Sequence, residues 1–368
     1  MPDTLPINPA LASLPVYQPG RPIEEVARDI GLPAAQIIKL ASNENPLGPS
    51  PLALEAMRGA LSQLHLYPDG NAFYLKNRLA AHLGVKPENL ILGNGSNEIL
   101  EFVGHALIAP GSDVIVSEHC FAVYPIVTHL FGGNLVTIPH KEFGHDLAAM
   151  AKAITPRTRV VFVANPNNPT GTRASNAELL EFLETVPANV LAVLDEAYVE
   201  FLDDPPDLIE RIRSKQQPNL VLMRTFSKIY GLAGLRLGYG IACPDLIGHF
   251  EKVRQPFNIN ALIQSGALAA LGDVEHLRKT VENNRSGSLY FETCFRDMGL
   301  EFVPSHANFV LVRTGRGAAV FTALQAQGVI TRPMGAYGLP EWIRISIGTP
   351  EQNERCMLTL RNALSCRT

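Results

Sequence analysis

The sequence has little of several features that would narrow its function at once. It holds five cysteines in 368 residues, scattered and without a C-x-x-C pair, and such thiols fit a reducing cytoplasm better than a disulfide framework. Its ten histidines include no H-E-x-x-H motif and no Cys/His cluster, so the sequence predicts no metal site. The net charge of -4 gives no electrostatic support to nucleic acid or an anionic membrane as a partner.

Long apolar runs and a secretion signal are missing as well. No run reaches the roughly 20 residues that a membrane-spanning helix needs. The start, MPDTLPINPALASLP, has an early acid and several prolines instead of basic residues before an apolar core, so we do not expect a signal peptide. Hydrophobic residues make up 46% and charged residues 18%, which is typical of a soluble enzyme. We expect a cytoplasmic protein with one large and one smaller domain.

What the sequence does contain is a regular alternation of short apolar runs with helical patterns between residues 88 and 242. Continuous apolar runs of this length indicate strands buried on both faces, and intervening helices indicate a mostly parallel sheet. The last two runs are joined by only about ten residues, too few for a helical crossover, so one strand there should be antiparallel. We predict an α/β fold with a seven-stranded sheet, its strands near 89–93, 113–117, 134–138, 159–165, 190–196, 220–226 and 237–242.

The flanking segments predict two further parts. Residues 1–22 are Pro-rich, and a short helix at 23–31 that is stopped by Gly31 follows them. We interpret residues 1–40 as an arm that joins the small domain or a partner subunit. We expect residues 41–290 to form the large domain. Residues 291–368 should form a small α+β domain, with strands near 309–313 and 342–348 and helices at 317–328 and from Pro350 on.

Four polar motifs stand directly after predicted strands. They are GSNE at 95–98, NPNNPTG at 165–171, DEAY at 195–198 and TFSK at 225–228. Binding sites in parallel sheets gather at the carboxyl ends of the strands, so the four motifs should converge on one crevice. This convergence is stronger evidence for a site than any of the motifs alone.

Lys228 lies in TFSKIYGLAGLR, between hydroxyl side chains and a run of small residues. Lysine forms a stable Schiff base with an aldehyde cofactor, and the neighbouring Thr225, Ser227 and Arg236 are suited to surround a phosphate. The combination predicts pyridoxal phosphate as cofactor. The alternative on this stretch alone is a surface lysine and an arginine paired with carboxylates.

Three residues offer what the ring of such a cofactor requires. Asp195 ends an apolar strand, where an unpaired carboxylate is costly and a protonated ring nitrogen is a suitable partner. Tyr198 and Asn168 could donate hydrogen bonds to the phenolic oxygen. The alternatives are an aspartate that caps the next helix, a packing tyrosine and a plain turn at N-P-T-G.

Two further features concern the cofactor's phosphate and ring face. Ser96 and Asn97 follow Gly95 and begin a helix, and a glycine turn into a helix N-terminus is an anion site, although many helices begin this way. Phe121 could stack on the ring, although an isolated phenylalanine is as often part of a core. GNGSNE is not G-x-G-x-x-G, so the sequence does not indicate a dinucleotide fold.

Together these residues resemble the fold-type I pyridoxal-phosphate aminotransferases, and most nearly the histidinol-phosphate aminotransferases. The resemblance covers essentially the whole chain, and its motifs in this order are specific for the superfamily. PGRPIEE and PFNIN narrow it to the histidinol-phosphate group. The segments that carry it include YQPGRPIEEVARDIGL (17–32), LASNENPLGPSP (40–51), YPDGNAFYLKNRLA (67–80), RTFSKIYGLAGLRLGY (224–239), RQPFNINALIQSGALAAL (254–271), PSHANFVLV (304–312) and WIRISIGTPEQN (342–353).

The resemblance implies a role for each matching position. Lys228 would carry the cofactor and move a proton to and from the substrate α-carbon. Phe121 would stack on the ring, where relatives often have Tyr, and Tyr67 would reach the cofactor phosphate from the other subunit of a homodimer. The implied cofactor-binding residues are Ser96, Asn97, Phe121, Asn168, Asp195, Tyr198, Thr225, Ser227, Lys228, Arg236 and Tyr67.

For the substrate, the resemblance implies that Arg344 binds an anionic end and Arg332 a phosphate. Tyr17 and Asn45 would line the substrate side, and Asn308 would orient Arg344. Two arginines suit a site that holds a phosphate ester in one half-reaction and a dicarboxylate in the other. The alternative for both arginines is surface pairing, which fits Arg344 poorly because it lies inside an apolar strand.

The implied reaction is a ping-pong transfer from L-histidinol phosphate to 2-oxoglutarate, giving imidazole-acetol phosphate and L-glutamate in histidine biosynthesis. Alternatives on the same scaffold are an aminotransferase for phenylalanine or tyrosine and a decarboxylase of an amino-acid phosphate. A regulator that only binds the cofactor is a third alternative. That class normally adds a DNA-binding domain, for which the sequence has little room before residue 40 and no basic excess.

Overall fold

The computed structural model of the chain describes residues 7, 9–11, 14 and 20–365. Helices alternate with strands through the large sheet, as the sequence predicts. The strands are β1 (Ile38–Lys39), β2 (Leu90–Gly93), β3 (Asp113–Ser117), β4 (Asn134–Ile138), β5 (Thr158–Ala164), β6 (Leu191–Asp195), β7 (Leu220–Thr225), β8 (Gly238–Ile241), β9 (Phe302–Val303), β10 (Phe309–Arg313), β11 (Val329–Ile330), β12 (Arg332–Pro333) and β13 (Trp342–Ser346). The α-helices are α1 (Ile23–Ile30), α2 (Pro51–Ala60), α3 (Phe73–Leu83), α4 (Ser96–Leu107), α5 (Val123–Leu130), α6 (Leu147–Lys152), α7 (Asn176–Thr185), α8 (Ile209–Arg213), α9 (Pro244–Glu251), α10 (Ala261–Ala270), α11 (Val274–Asp297), α12 (Gly317–Ala326) and α13 (Pro350–Ser365).

The large sheet has seven strands in the order β2-β8-β7-β6-β5-β3-β4. Strands β3 to β7 pair in parallel, whereas β8 is antiparallel to both of its neighbours, β2 and β7. The seven predicted strands are therefore confirmed. The antiparallel strand expected from the short connection between the last two runs is confirmed as well.

This sheet separates two hydrophobic cores. Along β5, Val161 and Val163 belong to one core, whereas Val160, Phe162 and Ala164 belong to the other, since successive side chains of a strand point to opposite faces. Burying each such Val or Phe side chain stabilises the fold by about 1.5–3 kcal/mol. The continuous apolar runs in the sequence follow from this double burial.

The C-terminal part contains a four-stranded antiparallel sheet in the order β12-β13-β10-β9. The strand β1, which precedes the large sheet in the chain, pairs in parallel with β11, with Ile38 opposite Val329. Ile38 and Leu40 pack in the same core as α13 and β10 residues. The segment before the large sheet is therefore packed against the C-terminal part of the chain; the predicted division into an arm and two domains stays a prediction.

Helix boundaries refine three expectations. Gly31 follows α1 with φ 71°, so the predicted glycine stop is confirmed. The helical region expected at 244–290 consists of the separate helices α9, α10 and α11. Because α11 runs without a break through residue 290, the predicted border there falls inside a helix, and the division into 41–290 and 291–368 stays a prediction.

Within the described residues, no helix combines the length and apolar character needed to cross a membrane.

Candidate active site

A cavity of about 390 Å³ opens beside the carboxyl ends of β5, β6 and β7. The four polar motifs that follow predicted strands all contribute to it, so their expected convergence is observed. Of the residues singled out from the sequence, its lining includes Ser96, Asn97, Phe121, Asn168, Asp195, Tyr198, Thr225, Ser227, Lys228, Arg236, Arg332 and Arg344. Lining residues that the sequence reasoning missed include Ser42, Asn43, Glu44 and Tyr337.

Lys228 projects from the turn after β7. Its Nζ lies 3.4 Å from the carbonyl oxygen of Ser42 and 5.7 Å from the ring centroid of Tyr198. Burial, followed by the positive charge of Arg344, lowers the pKa of Lys228 to about 8. A lysine with this pKa is partly neutral near physiological pH, which a nucleophile and a general base both require.

Asp195 is the last residue of β6 and is 7% exposed. Its Oδ2 accepts a hydrogen bond from the Tyr124 hydroxyl at 2.6 Å, and its Oδ1 accepts one from the Ala197 N–H at 3.1 Å. Burial raises the pKa of Asp195, and these two bonds oppose that shift. A buried carboxylate of this kind suits a cationic partner in the cavity. Tyr124 was missed, and its only signal in the sequence was its position three residues after Phe121.

The next residue, Glu196, faces the other side of the sheet. Its carboxylate pairs with Arg224 Nε at 2.8 Å, and burial raises the pKa of Glu196. The two adjacent acids thus have separate partners because strand side chains alternate in direction. The one aimed at the cavity is Asp195, as the sequence predicts.

Tyr198 and Asn168 present donors to the same cavity. The Tyr198 hydroxyl accepts a hydrogen bond from Asn43 Nδ2 at 2.9 Å, and Arg344 Nη1 donates to Asn168 Oδ1 at 2.5 Å. Because Oδ1 of Asn168 already accepts, its Nδ2 is the end that can donate to a ligand.

The N-terminus of α4 forms an anion cradle together with Arg236. Gly95 precedes the helix with φ 76° and contributes no capping side chain. A Cβ at Gly95 would overlap the Arg236 guanidinium, and a Cβ at Gly238 would overlap the backbone nitrogen of Ser96. The two glycines therefore allow Arg236 and the first helical N–H groups to lie close together, as an anion requires.

Thr225 and Ser227 line the same cavity as this cradle. Thr225 Oγ1 donates to the Leu237 carbonyl at 3.2 Å and accepts the Ser227 N–H at 3.0 Å. The Thr225 hydroxyl thus holds the turn that carries Lys228. Its predicted help in phosphate binding stays a prediction.

Arg332 and Arg344 stand directly opposite each other on β12 and β13. Arg344 is 6% exposed, donates from Nη2 to the Ala41 carbonyl at 3.1 Å, and lies over the Phe309 ring at 5.1 Å. Like charges at directly opposed strand positions are destabilising. An anion between the two guanidinium groups would relieve that cost.

Three predicted residues that the structure describes are not part of this lining. Tyr67 is 83% exposed and stacks on Phe257 with centroids 4.8 Å apart. Asn45 does not line the cavity, because its Nδ2 bonds to the Ile229 carbonyl and to Thr280 and its Oδ1 to the Leu47 N–H; Asn43 lines the cavity in its place. Asn308 donates to the Asn43 carbonyl at 2.9 Å, so its predicted action on Arg344 stays a prediction. Tyr17 lies outside the described residues.

One cluster among the described residues brings possible metal ligands together. Ligand atoms of Glu118, His119 and His140 lie within 4.8 Å of one another. The two imidazole rings are stacked, with centroids 4.6 Å and planes 27° apart, so their in-plane lone pairs do not converge. His119 Nδ1 also donates to the Tyr337 carbonyl, and His140 Nδ1 accepts the Phe143 N–H. We assign no metal site to this stacked pair.

Comparisons with known proteins agree with this geometry. The family model described as aminotransferase class I and II matches residues 35–360, so the chain is an aminotransferase of this class. It is 51% identical to a histidinol-phosphate aminotransferase of Akkermansia muciniphila over 97% of this chain and 98% of that protein. It is also 51% identical to histidinol-phosphate aminotransferase 2 of Pseudomonas fluorescens, over 97% of both chains. The chain belongs to the histidinol-phosphate aminotransferase family.

A solved structure agrees with the assignment. The crystal structure of histidinol-phosphate aminotransferase from Sinorhizobium meliloti, in complex with pyridoxal-5'-phosphate, superposes with a TM-score of 0.90. The two chains are 30% identical, and the match covers 99% of this chain and 98% of that one. The predicted fold-type I architecture is thereby confirmed.

Proposed function

We propose that this chain transfers an amino group between L-histidinol phosphate and 2-oxoglutarate, with pyridoxal phosphate as cofactor, in histidine biosynthesis. The products are imidazole-acetol phosphate and L-glutamate. The observation that carries the proposal is that a partly neutral lysine, a buried carboxylate and two opposed arginines line one cavity. Amino transfer needs the lysine and the carboxylate, and the anionic substrates need the arginines.

The residues of the cavity fit the cofactor. Arg236 and the first N–H groups of α4 form a cradle for its phosphate, made possible by Gly95. Asp195 can hold a protonated ring nitrogen, and the side chain of Phe121 offers an apolar face to the ring. Tyr198 and the Nδ2 of Asn168 are donors for its phenolic oxygen. Each requirement of the cofactor is met by a described residue.

The protein's own groups supply proton transfer and orientation. When bound in the cavity, pyridoxal phosphate would supply the electron-withdrawing ring that makes the substrate α-carbon acidic. Lys228 Nζ, with its pKa lowered to about 8, takes the proton from that carbon and returns one later in the reaction. Such a positioned general base contributes about 10²–10⁴-fold to the rate. Arg344 holds the anionic end of the substrate so that the α-carbon stays within reach of the amine.

The two arginines favour a doubly anionic substrate. Histidinol phosphate carries its negative charge on a phosphate, and glutamate carries two carboxylates. Arg332 and Arg344 oppose each other across β12 and β13, and guanidinium groups bind both kinds of anion through paired hydrogen bonds. Phenylalanine offers only a singly charged carboxylate, whereas the phosphate of histidinol phosphate has the charge and the acceptor oxygens to engage both guanidinium groups, which argues against the aromatic alternative.

Single-turnover reactions of the holoenzyme with three amino donors test the proposal. Histidinol phosphate and glutamate should each convert the cofactor to its amino form, and phenylalanine should react more slowly. A decarboxylase would instead release carbon dioxide from threonine phosphate. Faster reaction with phenylalanine, or carbon dioxide release, contradicts the assigned substrate.

We further propose a homodimer in which Tyr67 completes the partner's cavity. Tyr67 stands in a surface of exposed apolar side chains, and such surfaces on soluble proteins usually contact a partner. The exposed apolar side chains nearest to Tyr67 in the chain are Leu61, Leu64, Leu66, Phe73 and Tyr74, and the exposed Phe257 stacks on the Tyr67 ring. We also propose a cytoplasmic location. It is supported by Cys120, Cys294 and Cys356, which are buried free thiols of the kind that a reducing compartment keeps.

Mixed dimers test the shared site. Lys228→Ala and Tyr67→Ala chains are each expected to be impaired when pure. If Tyr67 acts across the interface, an equal mixture recovers about one quarter of wild-type activity, since half of randomly paired dimers hold one intact site. No recovery, or a monomer in sedimentation, contradicts the shared cavity.

A further inference from the structure

Asn43 lines the cavity although no sequence motif singled it out. It is 1% exposed, and its φ is 54°. Asparagine enters this left-handed region more readily than most other residues with a side chain. With this backbone, Asn43 Nδ2 lies 2.9 Å from the Tyr198 hydroxyl.

Ser346 orients the amide of Asn43. Its Oγ accepts the Asn43 backbone N–H at 2.8 Å and donates its own hydrogen to Asn43 Oδ1 at 3.2 Å. Because Oδ1 is engaged with Ser346, the Nδ2 end of the amide faces Tyr198. Asn308 fixes the Asn43 carbonyl from another side.

The direction of the bond between Asn43 and Tyr198 follows. An amide NH₂ group can only donate, so the Tyr198 oxygen accepts. The hydroxyl hydrogen of Tyr198 is not used in this bond and can be donated into the cavity. Burial raises the pKa of Tyr198 to about 12, so the hydroxyl keeps that hydrogen at neutral pH.

Asn168 is oriented by a residue of β13, the strand that also carries Ser346. Arg344 donates to its Oδ1, which leaves its Nδ2 as the donor toward the cavity. Arg344 and Ser346 are two positions apart on β13, so their side chains lie on one face of the strand. One strand of the small sheet thus sets the direction of two donors that line the cavity.

We propose that Asn43, oriented by Ser346, is a positioning residue that turns the hydroxyl hydrogen of Tyr198 toward the phenolic oxygen of pyridoxal phosphate. The inference rests on the proposed function, which supplies the cofactor. Donors to a phenolic oxygen stabilise its deprotonated form. They therefore lower the pH at which the absorbance of the bound cofactor changes.

The test is a pH titration of the cofactor absorbance in wild-type, Asn43→Gly, Ser346→Ala and Tyr198→Phe holoenzymes. Glycine adopts a positive φ without strain, so Asn43→Gly removes the side chain and keeps the backbone turn. We expect the midpoint to rise by about one pH unit in Asn43→Gly and Tyr198→Phe, and by less in Ser346→Ala. The control Asn219→Gly removes an amide bonded to the Pro187 and Val190 carbonyls, at the amino end of β7, and should leave the midpoint unchanged.

The double variant Asn43→Gly/Tyr198→Phe separates positioning from a general disturbance. If Asn43 acts through Tyr198, the double variant has the midpoint of Tyr198→Phe alone. Additive shifts, or an unchanged midpoint in Asn43→Gly, overturn the inference. If Asn43→Gly does not fold, Ser346→Ala with and without Tyr198→Phe gives the same decision. A wild-type protein that takes up no pyridoxal phosphate overturns the proposed function instead.

Discussion

The cavity has two walls of different origin. The sheet wall is built from residues at the ends of neighbouring strands of the large sheet, and the cross-domain wall is built from the segment 41–44 together with β12 and β13. Both walls lie around Lys228 Nζ. The sheet wall contains Asn168, Asp195, Tyr198, Thr225, Ser227 and Lys228, and the cross-domain wall contains Ser42, Asn43, Glu44, Arg332 and Arg344.

The hydrogen bonds that hold each wall join residues at very different separations along the chain. In the sheet wall, Thr225 holds Ser227 and Asp195 holds Ala197, each two residues away. In the cross-domain wall, Asn43 bonds to Ser346 and Arg344 bonds to Ala41, each 303 residues apart. The sheet wall thus depends largely on local sequence, whereas the cross-domain wall forms only when the N-terminal segment and the small sheet pack together.

Removing the amine of the sheet wall should give the largest effect. In Lys228→Ala we expect the transamination rate to fall by about 10⁴-fold or more, because covalent attachment and the general base are lost together. The absorbance of the covalently attached cofactor should vanish as well. Lys252→Ala, at an exposed lysine after α9, is the matched control. Normal turnover by Lys228→Ala would contradict the role assigned to Lys228.

Substitutions in the cross-domain wall should distinguish the roles of its two arginines. We expect Arg332→Gln to lower kcat/KM for histidinol phosphate by about 10²-fold, with little change for phenylalanine, because a charge-assisted bond to phosphate is lost. Arg344→Gln should lower kcat/KM for both donors, since it also loses its bond to Asn168. Steady-state kinetics with the two donors measures the contrast. Equal losses in Arg332→Gln would remove its role in selecting phosphate.

The sequence predicts the sheet wall far better than the cross-domain wall. Apolar runs locate strands, and parallel strands bring their carboxyl ends to one edge, so the placement of Asp195 and Lys228 follows from the order of motifs along the chain. In SNEN at 42–45, nothing local distinguishes Asn43 from Asn45, and the choice depends on Ser346. A single chain likewise leaves Tyr67 on the surface, because its predicted site lies on another copy.

The pH dependence of cofactor uptake tests a link between the walls. Arg344, from the cross-domain wall, is the second cause of the lowered pKa of Lys228, about 8. Only the neutral amine attacks an aldehyde, so the rate of covalent uptake by the apoenzyme should rise about tenfold per pH unit below pH 8 and level off above it. Stopped-flow absorbance measures this rate. In Arg344→Gln the midpoint should move upward, toward the ordinary lysine value, and a rate independent of pH between about 6 and 9 would contradict the shift.

The smallest predicted effect concerns Tyr124, whose bond to Asp195 in the sheet wall joins residues 71 positions apart in the chain. Tyr124→Phe removes the donor to Asp195 Oδ2 but keeps the ring that stacks on Phe162, with centroids 4.7 Å apart. One lost hydrogen bond of about 1 kcal/mol should weaken pyridoxal phosphate binding about fivefold, measured by titrating apoenzyme with the cofactor. Tyr290→Phe, at a half-buried tyrosine on α11 that packs against the core formed with β10 and α13, is the control. An unchanged affinity would contradict this expectation, because it would mean that the local hydrogen bond from the Ala197 N–H is enough to hold the Asp195 carboxylate. A weakened affinity would show that Tyr124, on α5, also holds it.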